Sequence, residues 1–552
     1  MSSSSVTVVA SGAAADAVAR HVPTLVKEGF AGKLFAQDPT LWGHDAEAES
    51  GKRLSWVDLP RSSRPLVGEV AALREHFTSQ GLDHVVLCGM GGSSLAPEVI
   101  TATAGVPLTV LDSSDPDYVR AALEDRLDRT VVVVSSKSGS TVETDSQKRA
   151  YEHAFTEAGI DPTERIVIVT DPGSPMDEAA RAAGYRVVNA DPDVGGRYSA
   201  LTAFGLVPSG LAGADIEALL DDAEAVADLL AADDEANPAL RLGAALGGTD
   251  PLRDKLLLRD AGTEIIGFGD WAEQLIAEST GKNGTGLLPV VVGTGGPSGP
   301  ELAADELVVL LQPAEQSDEQ VVEGDSVGVS GTLGAQLLLW EAAVATAGRL
   351  LGINPFDQPD VESAKQAARD VMAGGGGASA GPAFTDGAIE ARALGGDWLG
   401  EAGNVPAAVE ALLGQLDPER GYLAVMAYLD RVEDASLADV RQVLAERVRR
   451  PVTFGWGPRF LHSTGQYHKG GPATGVYLQV TSAPRQDLPV AGRDFTFGEF
   501  IAAQAAGDAK VLAEHQRPVL RLHLTEHDAG LAQLRGVLGL AESQVTDSGG
   551  SR

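Results

Sequence analysis

Cysteine, cationic residues and long apolar runs are all scarce in this 552-residue chain. Its single cysteine, Cys88, excludes an intramolecular disulfide and favours a cytoplasmic protein, since disulfides persist in oxidising compartments. No run of about 18 apolar residues occurs, so no membrane span is predicted. The N-terminal segment Met1-Ser-Ser-Ser-Ser-Val-Thr lacks the basic and apolar parts of a signal peptide.

The shortage of cations gives the chain a strongly negative charge. It has 42 Lys and Arg against 78 Asp and Glu, a formal net charge of −36. Such a field repels nucleic acid and anionic membranes, so neither is expected as a partner. We interpret the acidity as a device for solubility or as adaptation to salt. An anionic substrate would need local cations and backbone donors that outweigh this field.

The chain is too long for one hydrophobic core, and its patterns predict two main domains. Apolar β-branched segments alternate with helix-forming segments, which indicates α/β domains with doubly wound parallel sheets. The predicted organisation is a helical N-terminal segment over 1–58, a first α/β domain over 59–210, a second over 211–545 with a Gly-rich loop over 371–384, and a disordered tail over 546–552. Strands are predicted at 84–88, 107–112, 131–135, 166–170, 185–189, 287–292, 306–312, 422–429, 452–455, 475–481 and 519–523, an apolar segment at 255–260, and a long apolar helix at 333–351.

A run of small polar residues, Ser136-Lys-Ser-Gly-Ser-Thr141, follows the four valines of the strand predicted at 131–135. Ser140 and Glu143 have the spacing of a capping box, which predicts a helix beginning near Thr141. A helix N-terminus of this kind presents backbone N–H groups and partial positive charge to an anion. The spacing of a Walker A loop is absent.

A second turn of the same kind, Gly89-Met-Gly-Gly-Ser-Ser94, follows the strand predicted at 84–88. In a doubly wound sheet, ligands bind beyond the carboxyl ends of the strands, where both turns are expected. The two turns together favour an anion site, with Lys137 as one local cation.

Three further stretches combine reactive residues with turn chemistry. Arg197 follows two glycines that permit a close approach of a ligand. Gln274 and Glu278 share one helical face, and a partly buried carboxylate at that position suits a general base. His462 and His468 raise the possibility of zinc, but no third ligand clusters with them, and no metal is predicted.

Six motifs together resemble the phosphoglucose isomerase family, and most closely the isomerase half of bacterial transaldolase–phosphoglucose isomerase fusions. The resemblance spans about residues 60 to 530. The motifs are Gly91-Gly-Ser-Ser94, Ser136-Lys-Ser-Gly-Ser-Thr141, Gly195-Gly-Arg-Tyr-Ser199, Glu278-Ser-Thr-Gly-Lys282, Phe356-Asp-Gln358 with Val361, Glu362 and Lys365, and Leu461-His-Ser463 with Gly465 and Gln466.

The resemblance implies two sugar-isomerase (SIS) type domains, no cofactor, and interconversion of glucose 6-phosphate and fructose 6-phosphate through a cis-enediolate. It implies Glu278 as the base, Arg197 as the group that stabilises the enediolate, and His462 with Lys365 as the ring-opening pair. The implied phosphate ligands are Gly92, Ser93, Ser136, Lys137, Ser138 and Thr141, and the implied further substrate contacts are Gln274 and Gln358.

The order of two motifs departs from the usual family pattern, because His462 follows the Phe356-Asp-Gln358 motif by about a hundred residues. Many relatives take this histidine from a neighbouring subunit, so the rearrangement leaves open whether the active form is a monomer or a homodimer. Pro359-Asp360 also replaces a more usual small residue. Two alternative functions stay open: a non-catalytic regulator that binds sugar phosphates, and an isomerase that also uses mannose 6-phosphate.

Overall fold

The computed structural model describes residues 6–292, 302–314, 324–360, 366–367, 369, 372 and 381–540. Within these residues lie three sheets, each built on parallel strands whose spatial order begins second, first, third, fourth. This is a doubly wound order, in which right-handed crossovers pack helices on the sheet faces. The predicted fold class of α/β domains with doubly wound parallel sheets is confirmed, and a third sheet accompanies the two that were predicted.

The first sheet is parallel throughout and carries both glycine- and serine-rich turns. Every residue of its two central strands is buried, as expected for strands covered on both faces. These strands are first and third along the chain, so the crevice at their carboxyl ends is the switch point of the sheet. Across the sheet the strands are Thr109–Leu111, His84–Gly89, Thr130–Ser135, Ile166–Thr170 and Arg186–Asn189. Its helices are Pro65–Thr78, Leu95–Thr103, Pro116–Glu124, Val142–Glu157, Pro175–Ala182 and Ala203–Ala212.

The second sheet recruits its edge strand from the N-terminus of the chain. Thr7–Ser11 pairs antiparallel with Ser326–Ser330, so the segment over 1–58 is not helical throughout as predicted. The run Thr7-Val-Val9 consists of β-branched residues, which favour strands. At the sheet edge, its backbone N–H and C=O groups find the hydrogen-bond partners that a helix would otherwise provide. The parallel strands across the sheet are Leu288–Val292, Lys255–Asp260, Glu306–Gln312 and Ser326–Ser330. Helices of the N-terminal segment and of this region are Gly12–Glu28, Phe30–Phe35, Glu47–Ser50, Leu59–Ser62, Ile216–Ala231, Pro238–Gly247, Phe268–Thr280 and Leu333–Leu351.

The third sheet also lies inside the range 211–545 that was predicted as one domain. It repeats the second–first–third–fourth order and adds an antiparallel hairpin at one edge. Strand and helix alternate identically in both regions, so the sequence pattern did not separate the two sheets. Across the sheet the strands are Val452–Trp456, Tyr422–Tyr428, Gly475–Ser482, Val519–Leu524, Ile389–Leu394 and Phe384–Asp386. Its helices are Val405–Leu413, Val440–Val448, Gly465–Gly470, Phe497–Glu514 and His527–Leu538.

One apolar core joins the first and second sheets. Its axis is the predicted helix Leu333–Leu351, in which every residue from 333 to 348 is buried. This helix packs against Phe268–Thr280, which in turn contacts Leu95–Thr103 behind the first glycine-rich turn. The packing therefore fixes the helix that carries Glu278, Phe268–Thr280, relative to the first sheet. In the described part of the chain, no helix has the length and apolarity needed to cross a membrane.

Candidate active site

The loop Ser136–Thr141 connects the strand Thr130–Ser135 to the helix Val142–Glu157. Gly139 turns the chain with φ +74, and a Cβ there would lie 2.4 Å from Cβ of Met176. Its N–H donates to Ser136 Oγ over 3.1 Å, while the exposed Ser138 and Ser140 hydroxyls lie 2.6 Å apart. The loop therefore presents hydroxyls and a helix N-terminus to solvent at the switch point.

The predicted capping box is wrong, although the helix begins within one residue of the predicted position. Thr141 occupies the N-cap without a side-chain cap, and Ser140 faces Ser138 instead. The carboxylate of Glu143 binds the side chains of His462 and Gln504 from the third sheet region. A tertiary contact has replaced the local one.

Lys137 already has a carboxylate partner. Its Nζ lies 2.7 Å from Asp171 Oδ2 and donates to the carbonyl of Pro192 over 3.0 Å. Asp171 directly follows the next strand of the sheet, Ile166–Thr170. The cation predicted for the anion site is therefore present at the loop, held by an acidic neighbour.

The turn after the strand His84–Gly89 packs against the segment that carries Arg197. A Cβ on Gly92 would lie 1.9 Å from the carbonyl oxygen of Gly196, so only glycine permits this approach. A Cβ on Gly91, whose φ is +57, would lie 2.8 Å from Gln274 Nε2. Ser93 is half-buried beside them. The close approach brings the backbone of this turn to the groups around Glu278.

Glu278 lies near the end of the helix Phe268–Thr280 and is only 5% exposed. Arg197 Nη1 lies 3.6 Å from its Oε2, and Gln274 Nε2 lies 3.5 Å from the same oxygen. Gln274 also donates to the carbonyl of His462 over 2.8 Å. The structure thus brings three predicted site residues, Arg197, Gln274 and His462, together around the buried carboxylate of Glu278.

The guanidinium of Arg197 is held by four hydrogen bonds besides its ion pair. It donates to Ser279 Oγ at 2.9 Å, to Gln358 Oε1 at 3.2 Å, and to the carbonyls of Pro355 and Asp357 at 2.6 and 3.0 Å. Two of the acceptors are backbone carbonyls and a third, Ser279 Oγ, lies on the helix Phe268–Thr280. A charge fixed in this way needs no reorganisation when negative charge develops beside it.

Lys282 is a buried cation of this site that sequence reasoning did not single out. Its Nζ donates to the carbonyls of Asn354 and Asp357 at 2.8 and 2.6 Å and to Asp357 Oδ1 at 2.7 Å. Burial and then the charge of Arg197 lower the pKa of Lys282 to about 8, against the opposing effect of Asp357. Lys282 fixes the loop that contains Gln358. The only sequence signal was its place at the end of the Glu278 motif.

His462 reaches the first sheet region through a chain of hydrogen bonds. Its Nε2 lies 3.0 Å from Glu143 Oε1, which also accepts from Gln504 Nε2 over 2.7 Å. Gln504 Oε1 in turn accepts from Ser114 Oγ over 2.5 Å. Each member of this chain is at least half-buried, so the network fixes the imidazole.

Two neighbours in the same motif anchor the segment of His462. Arg459 pairs with the buried Asp112 of the first sheet region, with Nη1 and Oδ2 2.6 Å apart. Gln466 accepts from the N–H of Asp360 over 3.0 Å and donates to the carbonyl of Gly281 over 2.9 Å. The unusual Asp360 therefore connects the loop of Gln358 to the histidine motif.

Two other residues singled out in the sequence have different outcomes. Lys365 lies outside the described residues. His468 belongs to the core of the third sheet region, where its Nδ1 lies 2.9 Å from the hydroxyl of Tyr422. Burial lowers the pKa of His468 to about 3, as expected for a neutral core histidine. Among the described residues, no group of three potential metal ligands clusters anywhere.

Comparison with known proteins agrees with this geometry. A family model described as phosphoglucose isomerase matches residues 69–245. A probable glucose-6-phosphate isomerase of Natronomonas pharaonis is 32% identical over 359 residues, which cover 55% of this chain and 82% of the relative. The chain belongs to the phosphoglucose isomerase family.

Two further proteins are similar to this chain. A probable glucose-6-phosphate isomerase of Haloarcula marismortui is 31% identical over 53% of this chain and 78% of its own length. A hypothetical protein of Thermus thermophilus has a solved structure that matches with a TM-score of 0.53 and 26% identity, covering 65% of this chain and 97% of that one. The predicted family and isomerase class are confirmed, while the finer likeness to the fusion enzymes stays a prediction.

Proposed function

We propose that this protein interconverts glucose 6-phosphate and fructose 6-phosphate, with Glu278 as the proton-transferring base. The observation that carries the proposal is the buried pair of Glu278 and Arg197, whose Oε2 and Nη1 lie 3.6 Å apart. Proton transfer beside a carbonyl needs a positioned base and a fixed cation for the developing oxyanion. Both groups are present on rigid elements.

Each proton and electron pair has a place in this scheme. In the aldose-to-ketose direction, the Glu278 carboxylate removes the proton from C2 of the open-chain sugar. The C2–H electrons form the C1–C2 double bond, and the oxygen on C1 takes negative charge beside Arg197. The proton of the C2 hydroxyl passes to the neighbouring C1 oxygen, and the same carboxyl group returns its proton to C1 as the carbonyl forms at C2. General base catalysis of this kind contributes typically about 10²–10⁴-fold.

The terminal phosphate of the sugar binds at the switch point of the first sheet in this proposal. Ser136, Ser138 and Thr141 supply hydroxyls, the helix Val142–Glu157 supplies its N-terminus, and Lys137 supplies charge. Gly92 and Ser93 supply the neighbouring turn. At short range, these hydrogen-bond donors and the charge of Lys137 offset the repulsion that a chain of net charge −36 exerts on the phosphate.

Ring opening is assigned to His462, in hydrogen-bond contact with Glu143, together with Lys365. Gln274 and Gln358 contact the sugar. All these groups except Lys365 lie in the described part of one chain, which supports a site completed within a single subunit. The single cysteine supports a cytoplasmic enzyme.

The test is a coupled assay of the purified protein with fructose 6-phosphate. Glu278→Gln is expected to fold normally, to bind sugar phosphate, and to lose about 10²–10⁴-fold in kcat. Glu217→Gln is the matched control, because Glu217 is an exposed glutamate on the helix Ile216–Ala231 and lies outside the candidate site. Substantial activity in Glu278→Gln would overturn the assignment. Sugar-phosphate binding without turnover in the wild type would favour the regulator instead.

A further inference from the structure

A cavity of about 800 Å³ lies in the third sheet region, away from the residues of the candidate active site. Its floor is formed by the last strand, Val519–Leu524, and the antiparallel strand Ile389–Leu394. Its wall is the first half of the helix Phe497–Glu514, where three alanines, Ala502, Ala503 and Ala506, leave the space unfilled.

Two arginines lie side by side on the cavity floor. Arg392 and Arg521 are directly opposite in the antiparallel register, so both side chains project from the same face of the sheet. Like charges in this position destabilise a sheet unless something neutralises them. Glu390 neutralises Arg392 through an ion pair of 3.0 Å. Within the described residues, Arg521 has neither a hydrogen bond nor an ion pair, and its Nε is fully enclosed.

Arg521 is half-buried and has no partner among the described residues, which is unexpected in this chain. Asp and Glu outnumber Lys and Arg by 78 to 42, so carboxylate partners are plentiful. Burial of a charge without a partner is costly, and proteins seldom retain it without a compensating group. A guanidinium matches the two oxygens of a carboxylate or phosphate in a bidentate fork. Arg521 therefore has the chemistry of an anion ligand.

The other polar groups around the cavity suit hydroxyl groups. His523 is fixed by a contact of 2.9 Å between its Nδ1 and Thr481 Oγ1, which leaves Nε2 available beside Arg521. Asp494 and Glu499 also line the cavity and have carboxylate oxygens, which accept hydrogen bonds from hydroxyls. Glu499 Oε2 already accepts from the N–H of Thr496 over 3.0 Å. The cavity thus contains a cation, Arg521, and carboxylates that can accept hydrogen bonds from hydroxyl groups.

We propose that this cavity is a second, non-catalytic site for a small polyhydroxylated anion. Arg521 holds its phosphate or carboxylate, and Asp494 and Glu499 accept its hydroxyl groups. The helix that forms the wall also carries Gln504, whose amide donates to Glu143 beside His462. A ligand packed against Ala503 therefore contacts the element that fixes the ring-opening histidine. We expect the ligand to change turnover as well as to bind.

Calorimetry can test binding independently of the proposed function. The double variant Ser136→Ala/Thr141→Ala removes hydroxyls from the active-site loop, and sorbitol 6-phosphate, gluconate and uncharged sorbitol serve as probes. We expect one remaining site for sorbitol 6-phosphate or gluconate, and none for sorbitol. The better of the two anions identifies whether phosphate or carboxylate is preferred.

Arg521→Gln in this background is expected to weaken binding at least about tenfold, the loss of a charge-assisted hydrogen bond. Arg447→Gln is the matched control, because Arg447 pairs with Glu410 at the surface of the same region. Arg392→Gln is a second test should Arg521→Gln fold poorly by circular dichroism. No remaining site in the loop variant, or an affinity that neither Arg521→Gln nor Arg392→Gln changes from that of the loop variant, would overturn the proposal.

The effect on turnover is the only part that rests on the proposed isomerase activity. Arg521→Gln with an intact active site is expected to keep basal kcat and to lose the change in kcat that the probe causes. Failure of the isomerase assignment would remove this readout and leave the binding result standing.

Discussion

His462 Nε2 and Glu143 Oε1 lie 3.0 Å apart, although 319 residues separate them in the chain. One residue belongs to the third sheet region and the other to the first helix turn after the loop Ser136–Thr141. Through this contact, the helix whose N-terminus is proposed to bind the phosphate also positions the imidazole. Ring opening and phosphate binding are therefore mechanically connected in the proposed mechanism.

Glu143→Gln tests that connection. Gln keeps the shape and one acceptor oxygen but removes the charge beside His462, so we expect kcat to fall about 10- to 100-fold, part of a general acid–base contribution. KM is expected to stay nearly unchanged, since the phosphate ligands are untouched. Glu152→Gln on the same helix, where Glu152 pairs with Lys148, is the control. A large rise in KM at constant kcat would contradict the positioning role.

The same contact shows where sequence reasoning stops. The strand before the loop was predictable, because four consecutive valines have few other structures open to them. Glu143 was misassigned because the spacing from Ser140 fits a capping box, a purely local pattern. Only the fold reveals that His462 and Gln504 compete for that carboxylate. Local rules fail where a functional contact overrides them.

The sheets show a second limit. The four parallel strands of the third sheet were predicted, but its antiparallel strands Phe384–Asp386 and Ile389–Leu394 were not. The boundary between the second and third sheets was not predicted either. Alternating strands and helices report the class of fold but not which strands pair. Thr7–Ser11 is the extreme case, because its partner Ser326–Ser330 lies more than 300 residues away. The site residues could be predicted only from their resemblance to family motifs. Lys282 stands in one of these motifs, but the resemblance implied no role for it, so it was not predicted as a site residue.

Lys137 and Asp171 provide a prediction about substrate affinity. Their ion pair of 2.7 Å competes with the phosphate for the ammonium group. Asp171→Asn is therefore expected to lower KM for sugar phosphate about two- to fivefold without changing kcat, as for an ion pair worth about 0.5–1 kcal/mol. Lys137→Gln is expected to raise KM about tenfold. Asp193→Asn, an exposed carboxylate nearby, controls for the general loss of negative charge.

The effect of Asp171→Asn should also depend on pH. Burial raises the pKa of Asp171, although Lys137 opposes the shift. The wild-type carboxylate therefore takes up a proton at a higher pH than an ordinary aspartate, and acidification weakens its hold on Lys137. KM measured in steps towards acidic pH should converge between wild type and Asp171→Asn. A difference that grows on acidification would rule out the competition.

Glu341 carries a prediction about stability. It lies fully buried in the helix Leu333–Leu351, neither carboxyl oxygen has a hydrogen bond in the described structure, and burial raises its pKa well above the usual value. The folded protein therefore holds a proton that the unfolded chain releases above the ordinary pKa of 4.5. This contribution to stability is fully present below that pH and is lost as pH rises towards the folded pKa.

Glu341→Gln removes the ionisation while keeping the shape. We expect wild type and variant to unfold at similar urea concentrations at pH 4, and the variant to be more stable by at least about 1.4 kcal/mol at pH 8, the free energy of one pKa unit. Glu217→Gln, at an exposed position on a neighbouring helix, should show no such dependence. Equal pH dependence in wild type and Glu341→Gln would show that Glu341 ionises without cost.

Whether one chain completes the site can be settled by mixing inactive subunits. Gln274 Nε2 connects the two halves within one chain, at 2.8 Å from the His462 carbonyl and 3.5 Å from Glu278 Oε2. If each chain uses its own histidine, co-expressed Glu278→Gln and His462→Ala subunits contain no intact site in any pairing. We therefore expect activity no greater than the sum of the two parents, and light scattering during wild-type turnover compatible with an active monomer. Two different affinity tags establish whether mixed dimers form. Recovery of activity in doubly tagged dimers would mean that His462 serves a neighbouring subunit, because only exchange of that residue restores a complete site.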